Sequence, residues 1–332
     1  MPAMSFFSVL LALLLEQLKP LRGGNLIHDT LVGWVHWAGR NFDAGRPVHA
    51  WVVWCITVIV PALLAFGIYL SMARHSLLVA LAWNVVVLYL TLGFRQFSHY
   101  FTDIRDALER GDELRARQLF AQWRHMDTSE LPHAELLRHV IEHSLLAAHR
   151  HVFGVFFWFI VLAAVGLGPA GAVLYRMAEF SSRYWAYRSH TVGVPTNPSL
   201  MALAQRLFDG MDHLPARLTA FGFAVVGNFE DAIDSWRRHA GLWQHTSDGI
   251  ILAAAAGAVG VRLGGSSAPG LSVDRSKTFE AGAPVGATEA EGDTGGQPPA
   301  LGHLRSIVGL VWRSVVLWML LLALLTLANL IG

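Results

Sequence analysis

Four long apolar runs constrain this chain more than any motif in it. A helix that crosses a bilayer needs ~20 mostly apolar residues. His49–Leu70 (HAWVVWCITVIVPALLAFGIYL), Leu77–Phe94 (LLVALAWNVVVLYLTLGF), Val152–Tyr175 (VFGVFFWFIVLAAVGLGPAGAVLY) and Val308–Ile331 (VGLVWRSVVLWMLLLALLTLANLI) all meet that requirement. Pro61 sits inside the first, a position that membrane helices tolerate when neighbours satisfy the freed carbonyl. Met4–Leu18, Leu214–Val226 and Ile250–Val261 are apolar but shorter. Met4–Leu18 does not read as a cleaved signal, because its first basic residue, Lys19, follows the apolar run; it reads as a short fifth span or an interfacial helix. The other two read as re-entrant or packed helices. The expected fold is all-α: a polytopic integral membrane protein with four to five membrane helices, short re-entrant or packed helices and a helical polar insert.

Composition agrees. Charged residues are 15% of the 332 and hydrophobic ones 54%, against roughly 25% charged in ordinary soluble domains. Lys+Arg number 25 and Asp+Glu 24. That balance leaves no polycationic footprint for nucleic acid, so the expected partner is the lipid bilayer. Cys55 is the sole cysteine, which excludes an internal disulfide and a cysteine-based zinc cluster. Lys19 and Lys277 are the only lysines and neither follows a glycine, so no GxxxxGK[ST] phosphate loop exists.

Polar segments set the organisation. Residues 1–263 read as a membrane domain with a polar helical insert at about 95–151. Residues 264–300, rich in Gly, Pro, Ala and Ser, read as a disordered linker, and 301–332 as a C-terminal membrane helix. Within the insert, Gly111 is placed as a left-handed helix C-cap and Asp112 as the next N-cap. A further helix starts near Ser129–Pro132.

Three constellations carry chemistry. His133, His139, His143, His149 and His151 lie within the insert, with His139 and His143 on one helix face beside Glu135 and Glu142. They read either as metal ligands or as interfacial polar residues, and the metal is left unknown. In DHLPARLTAFG, Pro215 is placed at a helix start and Arg217 in its first turn. A buried Arg217 needs an anion: Asp209, Asp212 or a phosphate ligand. AAAAGAVGVRLGG permits close helix packing through small residues and ends at Gly264 and Gly265; it reads either as helix packing followed by a C-cap or as a backbone that approaches a large ligand, with Arg262 on a phosphate.

Together these strings resemble the CobD/CbiB family of membrane proteins, whose type activity is adenosylcobinamide-phosphate synthesis in cobalamin assembly, and its diverged AmpE-like branch. The family's AL..GD…AR run appears as ALERGDELRAR, its GRDT-like turn as RHMDTSEL with Asp127, and its VVE string as VIE with Glu142. Its FW…G.PGA..Y span appears as VFFWFIVLAAVGLGPAGAVLYR, RLDD…IPARLTA as RLFDGMDHLPARLTA, and AMAGALGVRLGG as AAAAGAVGVRLGG. The last two are the most specific matches.

Departures are concentrated in acidic positions. The family's N-terminal GDP…HPV motif has no counterpart in EQLKPLRGGNLIHD. Its E–N–x–x–D–G run falls on Leu146, Ala147, Arg150 and His151. An Asp becomes Ser182, while Tyr187 and Arg188 are kept; the SPN.G.P string keeps only Gly249. The resemblance implies Glu142, Asp127 and Asp209 as catalytic residues. It implies phosphate or ligand binding by Arg206, Arg217, Arg262, Tyr187, Arg188, Gly264 and Gly265, and a corrinoid or other phosphate-bearing ligand. An active synthase implies Mg2+ and ATP; otherwise the cofactor is unknown. The expected function is that of a diverged cobalamin-biosynthesis protein in the bacterial inner membrane. The alternatives are an AmpE-like non-catalytic modulator of cell-wall signalling and an active synthase joining an aminoalcohol phosphate to adenosylcobyric acid.

Overall fold

The computed structural model describes residues 2–18, 26–92, 94–124, 131–191, 197–243, 245–265 and 293–331. Among them every extended element is an isolated bridge, and the rest is helix and turn. The helices in chain order are α1 (Pro2–Leu18), α2 (Leu26–Phe42), α3 (Pro47–Trp54), α4 (Val60–His75), α5 (Leu77–Thr91), α6 (Phe94–Glu109) and α7 (Glu113–Arg124). They continue as α8 (His133–Ala148), α9 (Gly154–Ala164), α10 (Ala170–Thr191), α11 (Pro198–Val226), α12 (Phe229–His239), α13 (Thr246–Val259) and α14 (Leu301–Ile331). The chain divides into two compact units: Met1–Gln96 with Arg150–Met211 and Met319–Gly332, and Phe97–His149 with Asp212–Trp318.

Three stretches are long and apolar enough to cross a membrane: Pro47–His75, His133–Ala164 and Leu301–Ala328. The first runs α3 into α4 through a wide π turn at Cys55–Ile59. Pro61, next to that turn, cannot donate to the Thr57 carbonyl and its ring crowds it. The wider turn makes room, and the Thr57 hydroxyl donates to the Val53 carbonyl at 2.9 Å or the Trp54 carbonyl at 3.0 Å.

Two expected spans are corrected. Leu77–Phe94 yields α5, which stops at Thr91 because Leu92 is extended; it is a shorter apolar helix. Val152–Tyr175 is not one helix. Gly166 and Gly168 take φ values of 88° and 56°, a conformation that glycine adopts without a Cβ penalty, and the chain turns back so that α10 packs on α9. The approach is close: a Cβ on Gly171 would meet the Trp158 carbonyl oxygen at 1.9 Å.

The long crossing helix lies further back, at His133–Ala164, and takes in the end of the expected polar insert. Leu136–Ala148 are all buried despite Arg138, His139, Glu142 and His143. Gly111 and Asp112 behave as expected: Gly111 has φ 77°, and the Arg115 N–H donates to the Asp112 carboxylate at 3.0 Å. The Ser129 part of the next helix start lies outside the described residues.

The first unit packs α1 on α5 and α9, and α4 on α5 and α10. The second packs α13 on α12 and α8. The small-residue run does what its spacing implies, since a Cβ on Gly257 would lie 2.2 Å from the Asp231 carbonyl oxygen. The helix cap, however, is Gly260 (φ 75°), whose N–H donates to the Ala256 carbonyl. Gly264 and Gly265 lie beyond it. Of residues 264–300, read as a linker, only the two ends are described, and both are structured. Val261 and Gly264 bridge to Gln297 and Asp293.

Candidate functional site

The second unit gathers its polar side chains around Val261–Gly265. Two helical turns of α8 present Glu135, Arg138, His139 and Glu142 at i,i+3 and i,i+4 spacing. The Gly264 N–H donates to Glu142 Oε1 at 2.7 Å, and Arg138 Nη1 donates to the Gly264 carbonyl at 2.6 Å. Arg138 Nη2 pairs with Glu135, and Arg138 Nε lies 3.8 Å from Glu142 Oε1. His139 Nδ1 lies 3.6 Å from Glu142 Oε2. Glu142 is 2% exposed and Arg138 6%. Buried charges persist only when paired and hydrogen-bonded, and here the backbone of one glycine supplies both a donor and an acceptor. Gly264 and Gly265 take φ values of 84° and 97°. A Cβ on Gly265 would sit 3.1 Å from Arg138 Nη1.

The same strap is held from outside. Arg262 Nε donates to Asp293 Oδ1 at 2.7 Å and its Nη2 pairs with the second carboxylate oxygen. This hydrogen-bonded guanidinium holds the Asp293 carboxyl below the ordinary carboxylate value, and the carboxylate raises Arg262 in turn. The Leu263 N–H donates to Thr294 Oγ1 at 2.7 Å, and the Thr294 N–H to the Leu263 carbonyl at 2.8 Å.

The expected site residues therefore separate. Glu142, Gly264 and Gly265 meet directly. Arg262 is exposed and bound to Asp293 rather than presented to a phosphate. Arg217 is half-buried in the middle of α11 and donates to its own His213 carbonyl at 2.9 Å. Pro215 does not start a helix; it lies inside α11. The Met211 carbonyl that Pro215 leaves unpaired accepts from Trp158 Nε1 at 3.2 Å. Arg217 and Arg262 each have a partner in their own surroundings.

Asp209, Arg206, Tyr187 and Arg188 belong to the first unit. Asp209 is exposed and accepts from Gln205 at 2.8 Å; Arg206 is exposed and Tyr187 half-buried. Arg188 Nη1 lies 2.7 Å from His36 Nδ1. Burial first, then Arg188 and Arg40, push His36 below the ordinary histidine value. Ser182, where the resemblance places an aspartate, donates to Gln205 Oε1 at 2.8 Å. Asp127 lies outside the described residues.

The histidines do not converge on a metal. His143 packs edge-on against Trp123, ring centroids 4.3 Å apart. The described residues hold no group of three or more His, Cys, Asp or Glu suited to a metal ion. The donor set around Glu142 does not fit Mg2+ either, since the carboxylate already accepts the Gly264 N–H and faces a guanidinium.

Sequence reasoning missed Arg138, although its place four residues before Glu142 on one helix face was a usable signal. Asp293 and Thr294 carried no signal inside a glycine-rich stretch. The buried group of His149, Asp212 and Thr219 was also missed as a unit. His149 Nε2 lies 2.8 Å from Asp212 Oδ1, and Nδ1 lies 2.9 Å from Thr219 Oγ1.

Comparison with known proteins follows the same strings. Residues 16–290 match the family model described as CobD/CbiB protein. Cobalamin biosynthesis protein CobD of Stutzerimonas stutzeri is 32% identical over 96% of both chains. CobD of Chromobacterium violaceum is 35% identical over 59% of this chain and 60% of its own. CobD of Leptospira interrogans is 25% identical over 64% of this chain and 65% of its own. No solved structure matches. Nothing in these relatives supports the AmpE-like alternative. With crossing helices and the joined VIE and GVRLGG strings both in place, the chain belongs to the CobD/CbiB family of cobalamin biosynthesis proteins.

Proposed function

We propose that this chain is a multi-pass bacterial inner-membrane protein of cobalamin biosynthesis. In this reading it engages a corrinoid carboxylate side chain and an aminoalcohol phosphate without carrying out metal-assisted activation of the carboxylate. One observation carries the reading. Glu142, one of the acidic residues that the resemblance assigns to catalysis, is committed to the Gly264 N–H and set against Arg138. Joining a carboxylate to an amine requires an activated acyl group, and phosphoryl transfer relies on metal-bridged phosphates. The positions that would add carboxylates near Glu142 hold Leu146 and Arg150 instead, and a cation at Arg150 repels Mg2+.

Growth tests the reading. The chain is expressed in cells that lack adenosylcobinamide-phosphate synthase and are fed adenosylcobyric acid. The expected result is membrane expression without restored cobalamin-dependent growth, together with retention of adenosylcobyric acid by the purified protein. Robust rescue overturns the loss of activation; absence of corrinoid binding overturns the substrate class.

A further inference from the structure

The second unit buries a second polar group that the site around Glu142 does not use. His149 is 0% exposed, Thr219 1% and Asp212 2%. The three come from distant points of the sequence. His149 opens the π turn His149–Phe153 that follows α8, while Asp212 and Thr219 flank Pro215 on α11. π turns widen a helix by one residue and occur often at functional sites. A buried histidine and carboxylate are costly in an apolar setting, and His149 lies within the stretch His133–Ala164 that is long and apolar enough to cross a membrane.

Thr219 strengthens the case. A helical threonine usually returns its hydroxyl to a carbonyl of the preceding turn. Thr57, Thr91 and Thr326 do so here, donating to the Val53, Val87 and Leu322 carbonyls. The Thr219 hydroxyl meets His149 Nδ1 instead. With Asp212 ionised the carboxylate only accepts, which places the proton between Asp212 and His149 on Nε2. A neutral imidazole then turns the lone pair of Nδ1 toward the Thr219 hydroxyl. This is the order of carboxylate, imidazole and hydroxyl that activates nucleophiles on unrelated folds.

We propose that Asp212, His149 and Thr219 form a proton relay that accepts the proton released when an amine is acylated. The proposal rests on the reading above, that the chain handles an amine and a carboxylate, with the acyl group arriving already activated as an acyl phosphate. The amine nitrogen attacks the carbonyl carbon; the C–N bond forms, the C–O bond to phosphate breaks, and phosphate leaves with the electron pair. The surplus proton on nitrogen passes to Thr219 Oγ1 as that hydroxyl gives its own proton to His149 Nδ1. Asp212 is the positioning residue: it holds the tautomer and stabilises the imidazolium. Burial keeps bulk water from competing for the proton. The class of reaction that must supply the substrate is phosphorylation of a carboxylate.

The relay is tested on the full chain in nanodiscs, labelled with 15N-histidine and assigned with H149Q. The expected His149 signal shows Nε2 protonated and Nδ1 unprotonated; T219V shifts it and D212N reverses the tautomer. A protonated Nδ1 that donates to Thr219 overturns the relay. Turnover is then measured with a corrinoid acyl phosphate and an aminoalcohol phosphate. T219V and H149Q are expected to lower kcat ~10²–10⁴-fold at unchanged KM, while T219S restores most of it. Turnover of T219V equal to wild type overturns the relay. A wild type that has the expected tautomer but forms no amide overturns the substrate class and leaves the relay standing.

Discussion

Glu142 and Asp293 are both carboxylates that grip the stretch Val261–Gly265, one from the protein interior and one from its surface. Glu142 is 2% exposed; the Asp293 side chain is 44% exposed and its partner Arg262 55%. Each has an arginine, and each is hydrogen-bonded. Only the buried one has no alternative partner, because water can replace Arg262 around Asp293 but cannot reach Glu142. The two grips therefore differ in energy far more than in geometry.

Breaking the inner grip has the largest expected effect. Glu142→Ala leaves the Gly264 N–H and part of the Arg138 charge uncompensated in the interior, which costs about 3–5 kcal/mol. The expected outcome is a large fall in Tm in detergent or loss of folded protein. Glu142→Gln keeps an acceptor for the glycine and is expected to cost less, about 1–3 kcal/mol. Equal Tm values for the two variants would show that the carboxylate's charge, rather than its hydrogen bond, holds the strap.

Gly265→Ala comes next. The φ of 97° and the 3.1 Å approach to Arg138 Nη1 oppose a Cβ. Strain of this kind costs about 1–2 kcal/mol, and the Tm is expected to fall by less than in Glu142→Ala. An unchanged Tm would show that Arg138 gives way and that the inner grip is looser than its distances imply.

The outer grip gives the smallest effect and a pH signature. Asp293 is held below the ordinary carboxylate value of 3.8, first by its hydrogen bond from Arg262. A depressed carboxylate stabilises the fold above its unfolded value and loses that contribution as pH falls through the folded one. Arg262→Ala is therefore expected to lower Tm slightly at neutral pH and low salt, and not at all below the folded value or at high salt. A difference that persists at acid pH would show that Arg262 acts through packing.

How much of this was legible in the sequence follows the same division. The apolar runs His49–Leu70 and Val308–Ile331 placed two of the crossing helices, because length and hydropathy are local properties. The Gly111–Asp112 cap and the close packing of α13 were also legible, since both rest on neighbouring residues. The break at Gly166–Gly168 was hidden by the unbroken apolarity around it: hydropathy does not register backbone direction. Arg138 and Glu142 could be paired from their spacing, but their common partner, Gly264, has no side chain to announce it. His149, Asp212 and Thr219 were each visible, yet nothing local states that a π turn and a proline-containing helix bring them together.

The bridges of Val261 to Gln297 and Gly264 to Asp293 fix the two ends of residues 266–292 side by side. The entropy of closing a flexible loop across paired ends grows only logarithmically, so doubling such a loop costs about 0.6 kcal/mol. A tag inserted between 266 and 292 therefore tests the bridges themselves: both grips kept intact would show that Val261–Gly265 and Asp293–Gln297 hold each other whatever length of chain joins them.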